Sequence, residues 1–138
     1  ARRVFLADGD ALVLPTPDLL AITDALRAAF PSLERVSAYA TPINLTQKSP
    51  EELRELAAAG LTLVYLGIES GSPEILKRIA KGATPGTIAR GIDQARQAGL
   101  AVSATVILGL GGWRLGREHI DGTIGLINTS APDYLSTL

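Results

Sequence analysis

Apolar segments alternate with proline-marked helix starts along the whole chain, and this alternation constrains the fold more than any other feature. The apolar segments are RVFLA (3–7), RVSAYA (35–40), TLVYLGI (62–68), AVSATVILGL (101–110) and YLSTL (134–138). Each has the length of one strand, and helices of about 10 to 14 residues fit between most of them. Strands that alternate with helices predict a parallel sheet with right-handed crossovers.

Helix starts are marked by a hydroxyl residue directly before a proline. The four pairs are Thr16-Pro17, Ser49-Pro50, Ser72-Pro73 and Thr84-Pro85. The hydroxyl residue caps the free N–H groups of the first turn, and proline has no N–H that would need a partner there. A short helix is expected at 73–81, and the last helix near 116–128, where three glycines weaken it.

Small and polar residues follow four of the predicted strands. They are ADGD (7–10), YATP (39–42), GIESG (67–71) and GLGG (109–112). The first strand is not followed by the GxGxxG motif of a dinucleotide-binding sheet. Functional groups at the carboxyl end of every strand are typical of a β/α barrel. The fold class predicted here is therefore α/β, with parallel β/α units forming an arc of a barrel.

Composition narrows the kind of partner to small molecules. The chain has 138 residues, which predicts one domain, and a net charge of −1 gives no broad attraction to nucleic acid or to an anionic membrane. No apolar run approaches the roughly 18 residues of a membrane span, and no signal peptide pattern is present, so we expect a cytoplasmic protein. The absence of cysteine excludes disulfides, a thiol nucleophile and thiolate metal ligands. Because the chain begins and stops on strand-like segments, we expect truncation at both ends and self-association through exposed edge strands.

Four segments, in this order and spacing, resemble the radical SAM enzymes, particularly the branch related to oxygen-independent coproporphyrinogen oxidases. They are FLADGDAL (5–12), SAYATP (37–42), LGIESGSPEILKRIAKG (66–82) and VILGLGG (106–112). The resemblance covers essentially the whole chain. It implies strands two to six of a partial (β/α)6 barrel, S-adenosylmethionine (SAM) as cofactor, and reductive cleavage of SAM to a 5′-deoxyadenosyl radical in the intact parent.

The resemblance also assigns cofactor-binding roles to individual residues. At the first strand, Asp8, Gly9 and Asp10 match the turn that meets the amino group of the SAM methionine. At the second strand, Tyr39, or Thr41 beside it, matches a polar contact.

The remaining assigned roles lie on the later strands. Glu69 matches a residue that binds the ribose hydroxyls with help from Ser70, and Lys81 matches a basic residue that meets the methionine carboxylate. The fourth predicted strand supplies the ribose and adenine contacts, at Thr105, Ile107 and Gly109.

The family's three-cysteine loop, which holds a [4Fe–4S] cluster, has no counterpart in this sequence. We therefore expect the cluster only in the intact parent, no metal ligand and no catalytic residue in this chain, and no activity of the chain alone. Substrate and reaction type stay undetermined.

Several alternative interpretations stay open. Asp8 and Asp10 fit a tight turn, and Glu69 fits a helix cap or an ion pair with Lys81 or Arg78. The GLGGWRLGRE segment (109–118) fits a phosphate-binding loop, and His119 fits a solvated surface position. Alternative functions are a non-radical barrel segment that binds a phosphorylated or sugar-like molecule, and an inactive structural fragment.

Overall fold

The computed structural model describes residues 1–7 and 9–138, so the role expected of Asp8 lies outside the described residues. Five strands are found where the apolar segments predicted them. They are β1 (Arg3–Leu6), β2 (Arg35–Tyr39), β3 (Leu61–Glu69), β4 (Ala101–Val106) and β5 (Tyr134–Thr137).

In the described residues, six α-helices connect these strands, two of them between β2 and β3 and two between β3 and β4. They are α1 (Thr16–Ala29), α2 (Pro42–Gln47), α3 (Pro50–Ala58), α4 (Pro73–Arg78), α5 (Pro85–Gln97) and α6 (Gly112–Ser130), and a 3-10 turn at Ala11–Val13 precedes α1. None of the helices in the described part of the chain has the length and apolar character that crossing a bilayer requires.

The strands form one sheet in the order β1-β2-β3-β4-β5, and every neighbouring pair is parallel. Spatial order follows chain order, so the sheet has no point at which the strand order reverses. A doubly wound sheet needs such a reversal, whereas successive β/α units of a barrel do not. The predicted α/β class with parallel β/α units is confirmed.

The hydrophobic core lies between the helices and one face of this sheet. That face contributes core side chains from three strands: Val36, Ala38, Val64, Leu66, Ile68, Val102, Ala104 and Val106. The opposite face, here called the open face, carries Phe5, Tyr39, Tyr65, Gly67 and Thr105, because side chains alternate along a strand. Phe5 and Tyr39 remain 41% and 46% exposed.

Three of the predicted N-caps are confirmed, and Thr16 is the exception. Ser49, Ser72 and Thr84 each accept a hydrogen bond from a first-turn N–H, and Ser49 also completes a capping box with Glu52. The backbone N–H of Ser49 holds the pKa of Glu52 below its usual range. Thr16 is instead the first residue of α1, after the N-cap Pro15, and its hydroxyl donates to Glu52 Oε1 at 2.7 Å rather than capping the helix.

Two further differences concern helices. The Thr41-Pro42 pair starts α2 with the same signature as the other caps, yet sequence reasoning did not assign it a helix. The last helix was expected at 116–128 but runs from Gly112 to Ser130. Of its glycines, Gly122 is required by a contact with Gly71, whereas Gly116 and Gly125 have open space where a Cβ would stand.

Candidate functional site

The end of β3 carries a β-bulge that folds Glu69 back over the open face. Gly67 pairs with Thr105 and Glu69 with Val106, so Ile68 is the extra residue. Glu69 has φ +60°, a left-handed conformation that few residues other than glycine adopt. Along a regular strand Glu69 would lie about 7 Å beyond Gly67. Here its carboxylate instead occupies the space directly above Gly67.

Gly67 is a glycine because the Glu69 carboxylate and the Lys81 ammonium occupy the space that a side chain at position 67 would fill. A Cβ at position 67 would overlap Glu69 Oε1 and would lie 3.2 Å from Lys81 Nζ. Lys81 Nζ donates to Glu69 Oε1 at 3.1 Å, and both side chains are 20% exposed. The ion pair is therefore largely sheltered and sits on the open face at the level of Thr105.

Lys81 reaches Glu69 because α4 ends in a Schellman motif. Ala80 has φ +51°, its N–H donates to Lys77 O, and the Lys81 N–H donates to Leu76 O at 3.0 Å. This turn carries the chain back toward the sheet. Of the two ion pairs considered from sequence, the structure forms the one with Lys81, while Arg78 pairs with Glu74 on the exposed side of α4. The cap of α4 is Ser72.

Asp10 is engaged by its own surroundings. Its Oδ1 accepts from the Leu12 N–H at 3.0 Å, and its Oδ2 accepts from Thr41 Oγ1 at 2.6 Å and from Asn44 Nδ2 at 2.5 Å. The carboxylate therefore joins the β1 tip to the start of α2. This arrangement matches the turn interpretation of Asp10 and leaves less of its hydrogen-bonding capacity for a ligand.

Tyr39 lies on the open face in a cluster of three aromatic rings. Its ring centroid is 4.8 Å from that of Phe5 and 6.3 Å from that of Tyr65, and all three pairs meet edge to face. Sequence reasoning missed Phe5 and Tyr65. Phe5 pairs with Ser37, two residues before Tyr39, and Tyr65 pairs with Tyr39, so period-two alternation places all three rings on one face.

Ser70 is fully buried and pairs with a histidine that was expected at the surface. The expectation that His119 is solvated is wrong, because this residue is only 4% exposed. Ser70 Oγ lies 2.8 Å from His119 Nδ1, and His119 Nε2 lies 3.0 Å from Ile107 O. The three residues connect the tips of β3 and β4 through α6. Ser70 thus adjoins Glu69 along the chain but faces the interior.

The loop after β3 packs directly on the backbone of α6. A Cβ at Gly71 would overlap the Gly122 carbonyl and lie 2.5 Å from Thr123 N. The Gly71 N–H donates to Thr123 Oγ1 at 2.9 Å, and Ser72 Oγ donates to Glu118 Oε1. This contact, here called the loop–helix clasp, explains why a glycine stands in the middle of α6.

The tip of β4 completes the site. Thr105 lies opposite Gly67 in the sheet, and its hydroxyl is 2.9 Å from Ser136 Oγ. The Ile107 N–H donates to Glu69 O at 3.1 Å, so the two tips are directly bonded. Gly109 has φ +75° and open space where a Cβ would stand. Glu69, Lys81, Thr105 and Ile107 are therefore brought together, whereas Asp10 and Ser70 are held in other contacts.

The family model described as the radical SAM superfamily matches residues 1–124 of the chain. Coproporphyrinogen III oxidase (HemN) from Escherichia coli, described as a radical SAM enzyme, has a similar structure with a TM-score of 0.79 at 18% identity, covering 99% of this chain and 31% of that one. The Elp3 protein of the archaeon Methanocaldococcus infernus gives 0.74 at 18%, covering 99% and 36%. Methylornithine synthase (PylB) gives 0.71 at 15%, covering 99% and 38%. No curated protein matches the sequence.

Proposed function

Because the chain belongs to the radical SAM superfamily, we propose that it forms the part of the family's partial barrel that binds S-adenosylmethionine. Reductive cleavage of SAM is the general reaction of this superfamily. The chain spans about a third of the length of the similar structures, so the reaction of the whole protein is part of the proposal. SAM would supply the 5′-deoxyadenosyl group, and the residues described above would bind and orient it.

The observation that carries the proposal is the position of the Glu69 carboxylate over Gly67. A residue with a left-handed φ costs about 1–3 kcal/mol and persists where its surroundings hold it, often at ligand sites. In the described contacts, Glu69 uses Oε1 for Lys81, which leaves Oε2 as an acceptor for a ligand. A carboxylate with a free oxygen fits the vicinal hydroxyls of a ribose, which are hydrogen-bond donors.

The neighbouring groups fit the rest of a nucleoside. Lys81 uses one of its three N–H donors on Glu69, which keeps the carboxylate oriented and leaves two donors for an anionic group such as the methionine carboxylate. Thr105 offers a hydroxyl on the same face, and Ile107 offers apolar surface beside it. These residues bind and orient the ligand, and we assign none of them a chemical step.

The residues present do not fit a [4Fe–4S] cluster. Such clusters are held by cysteine thiolates, and the sequence has none. Within the described residues, no group of three or more acidic or histidine side chains is arranged to hold a metal ion. The proposed function of this chain therefore involves no step at a cluster.

Replacing Glu69 by alanine is expected to weaken SAM binding by about 5- to 150-fold, because a charge-assisted pair of hydrogen bonds is worth roughly 1–3 kcal/mol. Chemical-shift titration of the chain with SAM measures this, since the method follows weak binding. Glu74→Ala is the matched control, because it removes the same charge from an exposed ion pair on α4. Equal dissociation constants for the wild type and Glu69→Ala would contradict the role of Glu69.

Replacing Gly67 by alanine is expected to weaken SAM binding at least as much as the loss of Glu69 while changing stability little. The new methyl group occupies the position of Glu69 Oε1, and the flexible carboxylate moves away without backbone overlap. Thermal unfolding and the same titration separate the two effects. Gly86→Ala, near the exposed start of α5, is the control. A Cβ at position 86 would lie 3.8 Å from its nearest neighbour, Thr84 Oγ1, which is an ordinary contact distance. A Gly67→Ala chain that binds SAM normally would show that the carboxylate position is irrelevant.

A further inference from the structure

His119 is a buried histidine for which the proposed function has no use. It lies on α6 and bonds to one residue at each of two strand tips, Ser70 after β3 and Ile107 after β4. Both contacts are made by ring nitrogens within 3.0 Å of their partners. Burying both ring nitrogens would be costly without partners, and each nitrogen finds its partner at a different strand tip.

The partners determine which ring nitrogen carries the proton. The Ile107 carbonyl can only accept, so His119 Nε2 must be protonated and donate to it. In the neutral ring Nδ1 is then an acceptor, and the Ser70 hydroxyl donates to it. Ser70 Oγ also accepts from the Ser72 N–H at 3.0 Å. One tautomer of a neutral imidazole thus satisfies every polar atom of this set.

These hydrogen bonds close a ring that contains Glu69. Glu69 precedes Ser70 in the chain, Ser70 bonds to His119, His119 bonds to Ile107, and the Ile107 N–H returns to Glu69 O at 3.1 Å. The ring fixes the spacing between the β3 and β4 tips. It therefore fixes Glu69, whose carboxylate is the proposed ribose ligand, relative to Ile107.

We propose that His119 is a positioning residue that sets the distance between Glu69 and Ile107, so that one nucleoside contacts both. The ligand-binding part rests on the proposed function, whereas the spacing itself does not. The flat imidazole is suited to this task because its two nitrogens point to different strand tips and cannot move independently. The amide of asparagine or glutamine also carries one donor and one acceptor, but its shorter or longer side chain places them differently.

Three variants separate the two hydrogen bonds. His119→Asn retains a polar atom near the Nδ1 position and the contact with Ser70, whereas His119→Gln retains one near Nε2 and the contact with Ile107. His119→Phe retains neither. The matched control is Thr123→Val, which removes a hydrogen bond of the loop–helix clasp without touching Ser70 or Ile107.

The first measurement needs no ligand. A long-range proton–nitrogen spectrum of the wild-type chain is expected to show His119 protonated at Nε2 and bare at Nδ1. Hydrogen exchange of the Ile107 amide is expected to accelerate at least about tenfold in His119→Phe, a change worth about 1.4 kcal/mol, and less in His119→Asn and His119→Gln. Thr123→Val should leave this amide unchanged.

The second measurement is titration with SAM. His119→Phe is expected to bind it about tenfold more weakly or worse, with the two amide variants in between and Thr123→Val near the wild type. The opposite tautomer, unchanged exchange at Ile107, or equal effects of His119→Phe and Thr123→Val would overturn the positioning role. If His119→Phe does not fold, the proton–nitrogen spectrum of the wild type and the exchange rates of His119→Asn and His119→Gln still test the positioning role. If hydrogen exchange at Ile107 accelerates in His119→Phe as expected but the wild-type chain binds no SAM, the proposed function is refuted. The spacing role of His119 then still stands.

Discussion

Anaerobic reconstitution of this chain with iron and sulfide is expected to yield no [4Fe–4S] cluster and, with SAM and a strong reductant, no 5′-deoxyadenosine. Cluster assembly in proteins depends on thiolate ligands, and the chain has no cysteine. Its one histidine is buried, with both ring nitrogens bonded. Carboxylates favour harder metal ions and do not replace three thiolates.

Absorbance after desalting and chromatographic detection of 5′-deoxyadenosine check this expectation. Coproporphyrinogen III oxidase from Escherichia coli, carried through the same protocol, is the positive control for reconstitution. A brown chain that keeps its colour and produces 5′-deoxyadenosine would show that the family's chemistry can proceed on ligands other than cysteine. SAM binding without cleavage is the result that agrees with the proposed function.

Replacing Gly71 by alanine is expected to destabilise the fold by about 3 kcal/mol, the upper part of the usual range for overpacking. The added Cβ overlaps the Gly122 carbonyl, which is backbone and cannot rotate away. The loop–helix clasp must open, which also strains the bond from the Gly71 N–H to Thr123. For a domain of this size the melting temperature should fall by roughly 10 °C.

Gly125→Ala on the same helix is a control of opposite sign. Gly125 has open space where a Cβ would stand and no positive φ. Alanine there should stabilise the chain by about 0.5–1 kcal/mol, because glycine loses more conformational freedom in a helix. Chemical denaturation of the two variants measures the difference. If Gly71→Ala is as stable as Gly125→Ala, the close approach of the loop to α6 is not a feature of the folded protein.

The sheet was predictable from sequence because its signals are local. Apolar runs bounded by proline and glycine marked every strand, and the small and polar residues after them marked the end of the sheet where the site lies. Thr41-Pro42 shows that even a missed helix carried the usual signature. Thr41 and Pro42 were assigned only to the strand-tip motif YATP (39–42), so the N-cap of α2 was missed.

The interior of the site was less predictable because it depends on contacts between distant segments. His119 lies among Arg117, Glu118 and Asp121, and this charged neighbourhood indicated solvent. Its burial follows from packing against the loop after β3, where its partner Ser70 lies 49 residues earlier in the chain. Likewise, no residue of the GIES segment (67–70) predicts the β-bulge at Ile68. The missing side chain at Gly67 makes room for the Glu69 carboxylate, but this is visible only when the backbone positions of both residues are known.

The sequential strand order has a consequence for folding kinetics. Arg3 pairs with Arg35, Leu63 with Ala101 and Ser103 with Tyr134, so each pairing closes a loop of similar length within the neighbouring β/α unit. Loop-closure entropy changes by only about 0.6 kcal/mol for each doubling of loop length. Chain connectivity therefore favours no pairing over another. The order of assembly is set by side chains, and β3, which has the most buried residues of the five strands, is where the folding nucleus is expected to form.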